Sequence, residues 1–93
     1  MRFEWDRQKA VSNLKKHGIS FDEAVTVFFD PLAATFDDLE HSSGERRLLT
    51  IGHSSQDRLV IVCHTERKDT ARLISARRAT KGEKKRHEGK EPG

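Results

Sequence analysis

A histidine, a glutamate and three arginines gather near the end of this chain. His64, Glu66 and Arg67 lie in the run His64-Thr65-Glu66-Arg67, and the pair Arg77-Arg78 follows. Histidine titrates near neutrality, which suits general acid or base work. Arginine grips phosphate oxygens through a planar fork and keeps its charge at any physiological pH. Cleavage of RNA by its own 2′-hydroxyl needs such parts: a base, an acid and a charge stabiliser, with neither metal nor cofactor. If the arginines converge on one rim of a small sheet, that rim is a seat for a breaking phosphodiester. The competing reading is that His64 and Glu66 merely end a strand while Arg77 and Arg78 solvate a helix start, because strand ends are often charged.

Two strands joined by a tight charged turn are the elements that must position this set. The apolar run Leu59-Val60-Ile61-Val62-Cys63 precedes it, the turn Arg67-Lys68-Asp69-Thr70 divides it, and Leu73-Ile74 continues it. Strand side chains alternate, so His64 and Glu66 share one face and Arg67 takes the other. Upstream, Arg2 to Trp5 reads as a short strand. Asp6 N-caps a helix over Arg7–His17 that stops at Gly18. Ala10, Val11 and Leu14 would form its apolar face, with Lys9, Asn13, Lys15 and Lys16 solvated. Ser20 and Glu23 make a capping box for a second helix, each satisfying the other's backbone N–H. Phe21, Ala24, Val25 and Phe28 give that helix a buried stripe. Pro31 ends it near Phe29.

Leu32–Phe36, Arg46–His53, Arg58–Thr65 and Thr70–Ala76 read as an antiparallel meander, since each connection is too short for a crossover. Asp37 to Glu45 is a polar loop, and Ser54 to Asp57 a tight turn. Thr80 and Glu83 form another capping box, opening a short basic helix. The expected fold is α+β, with the first two helices on one face of an antiparallel sheet. Residues 1–89 form one domain and 90–93 a frayed tail.

Composition narrows the function classes. Of the 93 residues 33% are apolar and 35% charged, which leaves a thin core that a bound partner would stabilise. No stretch approaches the roughly 20 apolar residues of a membrane span, and the first residues lack the apolar segment of a signal peptide. Lone Cys63 can form no internal disulfide, so the expected location is the cytoplasm. The net charge of +3 is modest, but its distribution is lopsided. Asp30 to Glu45 is acidic, whereas Arg77, Arg78, Lys81, Lys84, Lys85 and Arg86 crowd the end, where Lys81, Lys84 and Lys85 are expected to hold RNA. His41 with Asp37, Asp38 and Glu40 offers metal donors, but without the spacing of a known metal motif. No metal site is expected there.

Six blocks lie in one order: FEWD at Phe3–Asp6, KHGISFDEA at Lys16–Ala24, FxDPLA at Phe28–Ala33, TIGHSS at Thr50–Ser55, VCHTER at Val62–Arg67 and ISARRAT at Ile74–Thr80. Over nearly the whole chain they resemble the BrnT family of type II toxins. The resemblance implies a ribonuclease toxin with a small fold similar to RelE and ParE toxins. It also implies a DNA-binding antitoxin of the BrnA type that neutralises the toxin and brings operator DNA to the complex. Carried onto this sequence, its functional positions are His64, Glu66, Arg67, Arg77 and Arg78, with Lys9 added on the first helix. Some RelE-type toxins place a tyrosine near the scissile phosphate, and this chain has none. An alternative of another class is a non-catalytic toxin that inhibits a protein target, as ParE-like relatives act on gyrase.

Overall fold

Asp6 begins the first helix as its position suggests, its carboxylate accepting the backbone N–H groups of Gln8 and Lys9. In the computed structural model, which describes residues 1–41 and 44–89, β1 (Arg2–Trp5) runs into α1 (Arg7–His17). Gly18 ends α1 at φ 71°, a left-handed conformation that favours glycine. Then come α2 (Phe21–Val27), β2 (Ala34–Asp37), β3 (Leu48–His53), β4 (Leu59–Arg67), β5 (Thr70–Arg78) and α3 (Lys81–His87). The expected tail at 90–93 and the Ser42-Ser43 portion of the polar loop lie outside the described residues.

The four later strands pair antiparallel as the meander predicts, in a five-stranded sheet ordered β1-β5-β4-β3-β2. The pairing of β1 is different. It lies parallel to β5, with Phe3 beside Ala71 and Trp5 beside Leu73. Helices α1 and α2 fill the crossover side, so one face of the sheet is covered by both. There Ile19, Phe21, Ala24 and Val27 pack on Val60, Val62, Leu73 and Ala76. The other face carries a smaller cluster, Ile51, Leu59 and Ile61, with Ala79 against it.

Two expectations about the helices are corrected. Val11 and Leu14 do not make the inner face of α1; both are exposed, while Asn13 is buried. The reason is a bare edge. β1 stops pairing with β5 at Leu73, and β5 continues alone. The Asn13 amide takes the place of a strand there, accepting the Ala76 N–H at 3.0 Å and donating to the Ala76 carbonyl at 2.9 Å. It also donates to the Ile19 carbonyl. A buried backbone edge must be paired, and this requirement outweighs the apolar stripe.

The capping box of α2 is only half made. Ser20 accepts the Glu23 N–H, but the Glu23 carboxylate turns inward. It accepts from Ser54 Oγ and is held by two guanidinium nitrogens of Arg58. Arg58 pulls its ionisation below the usual carboxylate range, against the opposing effect of burial. Arg58 also donates to the Gly18 carbonyl, so one ion pair ties both helices to the β3–β4 turn. By contrast, α3 has the full reciprocal box between Thr80 and Glu83.

Glu23→Ala should cost about 3–5 kcal/mol, because it leaves the Arg58 guanidinium without its partner. Urea denaturation measures this directly. Because the native carboxyl ionises below its unfolded value, its contribution is complete above pH 4.5 and fades as the solution is acidified further. Glu23→Gln should remove that acid-side decline.

Candidate active site

The side chains singled out in the sequence fall at two ends of one hairpin. Arg67 stands opposite Thr70, beside the β4–β5 turn, whereas Arg77 stands opposite Ile61. Seven residues along β5, from 70 to 77, at about 3.3 Å each separate those levels by roughly 20 Å. The expected convergence of Arg67 with Arg77 and Arg78 therefore does not occur. Arg67 reaches toward Glu45. Arg78 shares the helix-facing side with Val60, its strand partner, and Arg77 takes the opposite face.

His64 and Glu66 do share a face, with Nδ1 and Oε1 3.8 Å apart. That face is the one under the helices. His64 has no exposed surface; the Phe28 ring meets it edge-on at 4.9 Å. The Thr50 hydroxyl pairs with Nε2 at 2.7 Å, and Thr35 with Thr50 at 2.8 Å. Among the described residues Nδ1 has no hydrogen-bond partner. Burial lowers the imidazole pKa to about 4. His64 is thus neutral at pH 7 and closed to a bulky substrate, which corrects the expectation of an accessible base at this position. Alternation told that His64 and Glu66 go together, but not which side of the sheet they take.

The uncovered face holds what the sequence left dispersed. A hollow of about 550 Å³ is floored by Leu49, Cys63 and Ser75 and bounded by Asp37, Asp38, His41, Arg47 and Arg77. Asp38 is buried, and its two oxygens lie 3.0 and 3.1 Å from His41 Nδ1, while the His41 ring stays open to solvent. Arg77 is oriented by Glu83, whose carboxylate accepts from both terminal nitrogens at 2.9 Å and ionises near pH 2 as a result. Lys9 lines a neighbouring depression that shares Ile74 and Ser75 with the hollow. Burial and then the Asp38 carboxylate raise the Cys63 thiol's pKa, while Arg47 and Lys9 act more weakly in the opposite direction. Lys81, Lys84 and Lys85 are exposed along α3.

His41, Asp38 and Arg47 went unrecognised as a set because only the folded loop brings them against β5. The one signal available was His41 three residues after Asp38, which reads as a loop cluster until a wall stands opposite it. An aspartate that orients a histidine, in a hollow also lined by a fixed arginine, can pass a proton and balance developing negative charge.

Two helices backing one sheet face, with a hollow on the other lined by both cationic and acidic side chains, define a small α+β protein. The chain belongs to the family of ribonuclease toxins, BrnT, of type II toxin–antitoxin systems, whose model matches residues 5–83. It is a ribonuclease toxin whose family implies an antitoxin partner. The crystal structure of the ribonuclease toxin BrnT from Brucella abortus is similar in fold. It has a TM-score of 0.67 and 24% identity over 87% of this chain and 99% of that one. No curated protein matches the sequence.

A neutral buried histidine has a consequence for stability. The native imidazole gains its proton near pH 4 and the unfolded one near 6.5. The unfolded state therefore binds more protons in between, and stability should fall by about 3 kcal/mol as pH drops through that interval. Urea midpoints measured from pH 7 to pH 4 should show the slope. In His64→Gln it should flatten.

Proposed function

We propose that this toxin is a metal-independent endoribonuclease working in the hollow on the uncovered sheet face. Residues 1–89 act as one domain, in the cytoplasm, under the control of a DNA-binding antitoxin of the BrnA type. The observation that carries the reading is that the Asp38–His41 pair and the Glu83-anchored Arg77 line the same hollow.

In the mechanism the Asp38 carboxylate takes the Nδ1–H of His41, which makes Nε2 the proton acceptor. Nε2 removes the 2′-hydroxyl proton, and the freed oxygen attacks the adjacent phosphorus. Arg77, Arg47 and Lys9 balance the charge that gathers on the phosphorane oxygens. The P–O5′ bond breaks, leaving a 2′,3′-cyclic phosphate on one fragment. The departing oxygen takes a proton from solvent water and leaves as a 5′-hydroxyl, and His41 returns its own proton to solvent. Arg67 beside the β4–β5 turn and Lys81, Lys84 and Lys85 on α3 contact the RNA strand beyond the scissile bond, while Glu66 and Arg78, on the helix-facing side of the sheet, lie outside this centre. His64 supports the hollow from below through Thr50, a strand neighbour of the Leu49 floor.

Purified protein incubated with RNA in the presence of EDTA should yield fragments with 5′-hydroxyl ends. Arg77→Ala should slow cleavage by about 10²–10³-fold, the usual loss on removing one charge-stabilising donor. His41→Ala should slow it by about 10²-fold or more. Growth arrest on induction should weaken in parallel. Undiminished cleavage by His41→Ala would rule His41 out as the base. Intact RNA alongside blocked DNA supercoiling would place the toxin's action on a protein target.

A further inference from the structure

Asp30, His53 and His87 come together at the end of the sheet away from the β4–β5 turn, and nothing in the ribonuclease reading uses them. Asp30 follows α2, His53 ends β3 and His87 ends α3, so three separate elements each contribute one donor. One ligand atom from each lies within 4.8 Å of the other two. Within the set, His53 Nδ1 is 3.6 Å from Asp30 Oδ2, and the two imidazole rings are 6.3 Å apart at 51°. All three residues are partly buried.

We propose that these residues form a site for a divalent ion of the zinc class, which staples the end of α3 to the body of the toxin. Two imidazoles and one carboxylate are the borderline donors that zinc, cobalt(II) and nickel(II) prefer. Magnesium and calcium take oxygen ligands instead. Zinc sits about 2.0–2.2 Å from such atoms, so donors around a tetrahedral ion stand roughly 3.3 Å apart. The Asp30–His53 spacing already fits. His87 is on the last turn of a helix of seven residues, where a small shift closes the remaining gap.

The carboxylate is also held in place. Leu32 N–H donates to Asp30 Oδ1 at 2.9 Å, and His53 N–H donates to Oδ2 at 2.7 Å. Gly52 lets the main chain approach, since a Cβ there would lie 3.1 Å from Oδ2. A ligand gripped by backbone amides keeps its orientation, which is what outer-shell contacts do in metal sites. The ion would then hold the far end of α3, while the Arg77–Glu83 pair holds its near end. Between them the helix roofs a cavity of about 450 Å³ lined by Phe36, Leu49, Ile51 and Ile61.

The test is a zinc titration of the full chain by calorimetry, with cobalt(II) absorption as a second probe and amide exchange to follow the helix. One ion per chain should bind, with a raised melting temperature and slower exchange at residues 81–87. His87→Ala changes a half-exposed side chain at a helix end, so the metal-free melting temperature should stay the same. It should weaken zinc binding by at least about tenfold and abolish both the thermal shift and the added protection. Absence of zinc binding to the wild-type chain would overturn the proposal. So would affinity that survives His87→Ala, which would assign the ion to other histidines. Cobalt(II) spectra lacking imidazole coordination would overturn it as well.

Discussion

A single buried amide decides how this fold is closed. β1 covers only the first part of β5 before the chain turns into α1, and the rest of that edge would face the helix layer with its polar groups unpaired. Asn13 supplies the missing hydrogen bonds and ties the α1–α2 connection through Ile19. Three of the four hydrogen bonds open to an asparagine amide are thereby used in the interior. The angle of α1 follows from that contact. So does the outward turn of Val11 and Leu14, which a reading of the helix by hydropathy assigns to the core.

Because both N-terminal helices pack on one face, the two sides of the sheet have different tasks. The covered side spends its side chains on packing and on a closed polar network in which even His64 is absorbed. The uncovered side keeps Arg77, Arg47 and His41 at the surface around a mainly apolar floor. The Glu23–Arg58 pair maintains this division, since it fixes α1 and α2 to the turn between β3 and β4.

What the sequence made legible was local. The caps at Asp6, Gly18, Ser20 and Thr80, the meander and the α+β class all rest on neighbours a few residues apart, and they stand in the structure. Boundaries moved slightly: β2 starts at Ala34 rather than Leu32, and β4 runs on to Arg67. That extension matters, because it makes His64 an interior strand residue instead of a terminal one. The rest depended on partners far away along the chain. Arg58 finds Glu23, Asn13 finds Ala76, and Asp38 with His41 comes to share a hollow with Arg77 only after the strands have paired. Periodicity assigns residues to faces but carries no information on which face a helix will cover. Thus Arg77 lines the hollow and Lys9 the depression beside it, whereas Arg67 and His64 lie elsewhere.

The parallel pairing of β1 with β5 also bears on how the toxin is made. β1 has as its partner a strand more than 60 residues further along the chain, and contacts so far apart in sequence form late and slowly. Until residues near Leu73 emerge, β1 has no edge to join and Asn13 has no Ala76 to hold. The meander from β2 to β5 pairs neighbours in sequence and can form as it emerges, but β1 and α1 cannot dock on it before β5 is out. Closing the β1 edge and seating α1 through Asn13 are therefore late steps in folding.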